Sequence, residues 1–256
     1  MILRKITFVG ANRAARNTVT LGVCLGLGLA TTGHAQIDRM KPKVEPALIL
    51  AQAAATDPET VRILAALAKI ESDLNLGMLF MQDGLTNPEG SHFAHPRAET
   101  LPGIAAGLAA AGAQDLEPLL LALEGGGDAA TVTSNFQAVI TGIMLARSSL
   151  KPTNRDLLLS IVAQTEAIAA EINASGPTEV NNYQDAWAML MVARVQIDML
   201  LGDSDPNVAG GAAEMGMAMD DVILSMPDPN VAAPVDFDPA PILTLKAKME
   251  ELAGTI

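Results

Sequence analysis

The chain has 256 residues, half of them hydrophobic but only 3% aromatic, with 29 acidic and 16 basic residues and a net charge of −13. Such an acidic balance repels phosphate backbones and anionic membrane surfaces, so nucleic acid is excluded as a partner. A single cysteine, Cys24, excludes an internal disulfide and any multi-thiolate metal site.

The N-terminus reads as a removable export signal. Arg4, Lys5, Arg13 and Arg16 precede a short apolar run from Val19 to Ala30, and Gly33-His34-Ala35 offers small residues for cleavage. The run is shorter than the roughly 20 residues a permanent span requires. The expected division is a signal peptide over 1–35 and one helical domain over 36–256. Cleavage removes Cys24, four of the 16 basic residues and none of the 29 acidic ones, which takes the net charge from −13 to −17. No second long apolar stretch is evident, so the exported body is expected in the periplasm without stable membrane insertion.

Beyond the signal, apolar residues recur at helical spacing. A short helix is expected after Pro46. A longer one starts at Thr56-Asp57-Pro58-Glu59, with Thr56 as cap and Glu59 as its capping-box partner. Its stripe is Ile63, Leu67, Ile70, Leu74, Met78 and Met81, and Gly84 ends it. Glu71 and Asn75 would form a solvated edge. A turn-rich loop from Asp83 to Pro96 follows, then a helix from Arg97 to about Ala111, stopped by Gly112 and weakened or kinked by Pro102. Leu116–Leu123 reads as a short helix. Gly125-Gly126-Gly127 is a break, and the one reasonable place to divide the domain.

Two further stripes run through Val132, Phe136, Val139, Ile143, Ala146 and Leu150, and through Leu158, Ile161, Thr165, Ile168 and Ile172. Ser175-Gly176-Pro177 stops the second. Asn181 or Asn182 would cap a helix reaching Leu201 that carries Tyr183, Trp187, Leu190 and Ile197. A stripe from Val208 to Met226 and a last helix near Ile242–Leu252 complete the chain. DPNVA occurs at Asp205 and again at Asp228, which is ordinary turn chemistry at element boundaries. With no strand alternation, the expected class is all-α, a multi-helix bundle or irregular helical domain.

The chemistry concentrates in Ser91-His92-Phe93-Ala94-His95-Pro96-Arg97-Ala98-Glu99, which holds every histidine outside the signal. Pro96 suits the first helical position, placing His95 at the cap and Glu99 one turn inside, on the same side. His92 can fold over from the loop. Two imidazoles and a carboxylate suit iron, zinc or copper. The plain alternative is that His95 caps the helix and Glu99 faces water.

HFAHPRAE, followed by NNYQDAWAMLMVAR, resembles a group of exported helical proteins of Proteobacteria with a pattern close to H-F-x-H-P-x-x-E. The Tyr-Gln-Asp-Ala-aromatic stretch is similar to the exported helical extension of some bacterial high-affinity iron permeases. The resemblance covers most of the body and implies a periplasmic domain that handles metal, iron before zinc or copper. On the matching positions it implicates His92, His95, Glu99, Tyr183 and Asp185. The chain departs from the pattern at Asp73-Leu74-Asn75-Leu76, where a histidine is expected, and at Trp187, where a smaller aromatic is usual. From spacing alone, Tyr183 and Asp185 point about 200° apart on a helix, so Tyr183 most simply packs with Trp187.

Met215-x-Met217-x-Met219 has the look of a copper(I) motif, but on one helix Met217 points away from the other two, so core packing fits better. No cysteine nucleophile, G-x-S-x-G elbow, phosphate loop or H-E-x-x-H is present, and no catalysis is expected. The expected function is metal capture or delivery, with a metal ion and an envelope permease or other envelope protein as partners. The alternative is a metal-free scaffold that docks another envelope protein.

Overall fold

A computed structural model describes residues 56–83, 92–173 and 175–255. The expected signal peptide, the helix after Pro46 and Gly84 lie outside the described residues. Those residues fold into eight α-helices: α1 (Pro58–Asp83), α2 (Leu101–Ala110), α3 (Glu117–Glu124), α4 (Ala129–Ser149), α5 (Asn154–Glu171), α6 (Val180–Asp198), α7 (Pro206–Ser225) and α8 (Ala240–Thr255). A π-helical turn over Pro96–Thr100 leads into α2. Among the described residues no strand forms; Thr178 and Val235 make one isolated bridge. The all-α expectation holds.

The helices bury two apolar cores. Ile63, Leu67, Ile70, Leu74 and Met78 of α1 join Leu101, Ile104 and Leu108, Leu116, Leu120 and Leu123, and Val139 and Ile143 in the first. The second gathers α5 to α8 around Leu158, Ile161, Tyr183, Leu190, Met215, Met219 and Met249. The chain passes from one core to the other after α4, so the break at Gly125-Gly126-Gly127 lies within the first core and divides nothing.

Helix α1 belongs to both halves, because it also packs on α5 and α6. Leu64, Ala68, Leu76 and Phe80, off the expected stripe, are therefore buried as well. Leu76 and Phe80 meet Ala188 and Trp187 of α6. The expected solvated edge is corrected here. Asn75 is exposed, but Glu71 is turned toward α4 and pairs with Arg147 at 2.7 Å.

Local signals shifted in three places. Asp57, not Thr56, caps α1: its carboxylate accepts from the Glu59 N–H (3.1 Å) and the Thr60 hydroxyl (2.7 Å), while Thr56 accepts from Arg155. Neither Asn181 nor Asn182 caps α6, which starts after Glu179; Asn182 instead donates to Glu171 at 3.0 Å. Elsewhere the structure adds a cap that the sequence reading did not name, and it bears out the turn chemistry of the repeat. Thr153 and Asp156 form a reciprocal capping box on α5, and the two DPNVA copies make the same turn, with Asp205 and Asp228 each accepting from the N–H two residues on. Met215 and Met219 are buried, whereas Met217 is 62% exposed. Helix α4 is long and apolar enough to cross a membrane by length and composition alone, an exception to the expectation of no second long apolar stretch. Its Val132, Val139, Ile143 and Ala146 face the first core.

The third shift concerns the entrance to α2. The helix was expected from Arg97, with Pro102 as a kink. Pro102 has no N–H to give to the carbonyl four residues back. Just ahead of Pro102 the backbone takes a wider turn, in which the Leu101 N–H bonds to the Pro96 carbonyl five residues earlier. Such π turns are rare and frequent at functional sites.

Candidate metal centre

The site is assembled on one row of α1. Lys69, Asp73 and Gly77 follow at steps of four and Phe80 at a step of three, which stacks them along a single side of the helix. The segment His92–Ala94 turns against this row. Phe93 fits where Gly77 has no side chain: a Cβ at Gly77 would lie 2.5 Å from Phe93 Cε1. His92 stacks on Phe80, with ring centroids 5.2 Å apart, and meets His95 edge-on at 5.3 Å.

The backbone carrying both histidines is anchored from the other side. Arg97, in the π turn, reaches α3 and holds Glu124 in a two-point pair, Nε to Oε2 at 2.5 Å and Nη2 to Oε1 at 3.1 Å. Glu117 adds a third contact at 3.3 Å. This fork geometry fixes orientation as well as position. His95 precedes the turn with helical backbone and makes no side-chain cap. Its imidazole is thus not spent on the helix terminus.

One ligand atom from each of Asp73, His92 and His95 lies within 4.8 Å of the other two. Asp73 and His92 are 3% and 4% exposed. Asp73 Oδ2 and His92 Nδ1 are buried without a hydrogen-bond partner among the described residues. Buried polar atoms are almost always paired, because leaving one unpaired costs about 1–3 kcal/mol. One donor atom from each of the three side chains lies near the other two, so the group is able to hold a metal ion. No protein-family model, curated protein or solved structure matches this chain.

The electrostatics fit the same picture. Burial pushes the Asp73 carboxyl up to about 7; Lys69 works against that rise, and Asp185, Glu99 and Glu171 add to it. Burial, with His95 and Lys69 acting in the same direction, holds the His92 imidazole down at about 4. At neutral pH His92 is therefore uncharged with a lone pair to give, and an arriving cation can displace the Asp73 proton into solvent.

The remaining expected ligands are placed differently. Glu99 is exposed and stays outside the three-residue group, although its charge reaches Asp73. Asp185, half-buried on α6, likewise acts on Asp73 through its charge. Tyr183 is fully buried in the second core, and its hydroxyl donates to the Pro227 carbonyl at 2.7 Å. Spacing arguments missed Asp73 as a candidate ligand. The available signal was a carboxylate between Ile70, Leu74 and Leu76 in an apolar helix.

Proposed function

We propose that the protein binds a transition-metal ion, iron first, through Asp73, His92 and His95, and serves in its capture or delivery in the periplasm. The observation that carries this reading is the convergence of one carboxylate and two imidazoles, two of the three side chains being buried and each holding an unpaired polar atom. Two histidines and one carboxylate form a donor set used for iron(II) and for zinc, leaving positions open for water or a carrier's ligand. Open positions suit an ion that must be handed on. The resemblance to exported extensions of iron permeases points to the same cargo, and an envelope permease would be the natural recipient.

The test is metal analysis of the protein freed of its signal, purified anaerobically and dialysed against iron(II), zinc(II) or copper(II). One equivalent of iron or zinc, absent from Asp73→Asn and from His92→Ala/His95→Ala, is expected. Failure of every ion to bind would leave the metal-free scaffold. That alternative draws support from exposed apolar residues on α7, Met217 and Leu224.

A further inference from the structure

Lys69 stands one helical turn before Asp73 on the row that carries the site, and it is half-buried. Residues four apart on a helix have their Cβ atoms about 5–6 Å from each other. The Lys69 charge is felt at both Asp73 and His92. Yet among the described residues Lys69 closes no ion pair; the eight that form use other cations, Arg62, Arg97, Arg147, Arg194 and Lys246. Helix geometry accounts for this. Side chains lean toward the N-terminus, so a lysine four residues before an acid leans away from it, and this order is the weaker one for pairing.

We infer that Lys69 is a built-in competitor of the metal ion, a tethered ammonium that lowers the affinity of the Asp73–His92–His95 site and so favours release. The inference rests on the metal reading above. A positive charge carried one helical turn from Asp73, and felt at both Asp73 and His92, repels an arriving cation in a partly desolvated setting, where such repulsion is stronger than in water. Other charges near Asp73, those of Asp185, Glu99 and Glu171, are negative and draw the cation in. Lys69 is the opposing member of that set. A site built for permanent retention gains nothing from it, whereas a site for delivery does.

The experiment is zinc(II) titration by calorimetry of the wild-type protein and of Lys69→Met, Lys69→Gln and Lys69→Arg, at low and high ionic strength. Met and Gln remove the charge while keeping most of the stem, and Arg keeps the charge. Met and Gln are expected to tighten binding by roughly tenfold at low salt, with a smaller gain at high salt, and Arg is expected to change little. A purely structural lysine would alter thermal stability and leave the affinity alone. Affinities within twofold of wild type in both Met and Gln, while wild type binds zinc, would overturn this inference and leave the metal site standing. Should no form bind zinc(II), the same titrations are run with iron(II) and copper(II), and failure of all three ions to bind would remove the metal reading and this inference together.

Discussion

The ring of Phe93 occupies the volume that any side chain at Gly77 would need. A Cβ there would sit 2.5 to 2.9 Å from three ring atoms, well inside contact distance. The contact seats the turn that carries His92 on α1. Gly77→Ala is expected to push Phe93 off the helix and weaken zinc(II) binding by at least about tenfold. Alanine's better helix propensity, roughly 1 kcal/mol over glycine, would offset part of the overpacking cost, so stability changes less than affinity. Pairing Gly77→Ala with Phe93→Ala in a double-mutant cycle should show strong coupling. Additive effects would mean that the contact does not position the site.

Asp73 places a burial-disfavoured carboxylate in the interior, a cost that protonation relieves below about pH 7 and that a bound cation would relieve above it. Asp73→Asn is expected to abolish detectable metal binding. In chelator-treated protein at pH 8, the same substitution should leave stability to urea equal to wild type or higher. A loss of more than about 2 kcal/mol without metal would indicate that Asp73 has a structural partner instead.

The same two buried groups define a pH signature for the metal-free protein. Asp73 has its folded value raised from 3.8 to about 7, so between those values the folded state keeps a proton that the unfolded chain has released. Its contribution grows as pH falls through 7. His92 has its folded value lowered from 6.5 to about 4, so in that range the unfolded chain takes a proton that the folded state refuses. Its contribution shrinks as pH falls. The two slopes, each at most about 1.4 kcal/mol per pH unit, oppose one another between about 4 and 6.5. Relative to wild type, Asp73→Asn should lose stability from pH 6.5 to 4.5, and His92→Phe should gain it. Urea titrations at both pH values read the difference, and parallel behaviour of all three proteins would refute it.

Tyr183 separates packing from ligation. Its hydroxyl is given to the Pro227 carbonyl, which ties the loop after α7 to α6 alongside the bond from Gln184 Nε2 to the Pro229 carbonyl at 2.9 Å. Tyr183→Phe is expected to cost about 1 kcal/mol in chemical denaturation and to leave zinc(II) affinity unchanged. A large fall in affinity would return Tyr183 to the site.

The Glu71–Arg147 pair, 17% and 14% exposed, fastens α1 to α4. Removing one partner strands the other charge in a poorly solvated place, so Arg147→Met is expected to cost about 2–3 kcal/mol. Glu71→Met/Arg147→Met should recover much of that loss. If the double variant is as unstable as the single one, the pair is not what holds these helices.

Helical periodicity was legible throughout the described chain, because a stripe such as Ile63, Leu67, Ile70 and Leu74 reflects a local geometric repeat that needs no knowledge of neighbours. The histidine pair was legible too, since two of only three histidines stand three residues apart. What tertiary packing alone decided was the third member of the group. Asp73 lies 19 positions before His92, and although its apolar neighbours Ile70, Leu74 and Leu76 mark it as an acid on a buried helix, nothing local ties it to the histidines. It becomes chemically special because α1 is enclosed from both sides, which strips water from a carboxylate and leaves it facing an imidazole. Likewise the π turn at Pro96–Thr100, just ahead of Pro102, shows only in the folded chain. Local repeats encode which face is apolar; desolvation and long-range convergence, which give a buried acid its chemistry, exist only once the helices have packed.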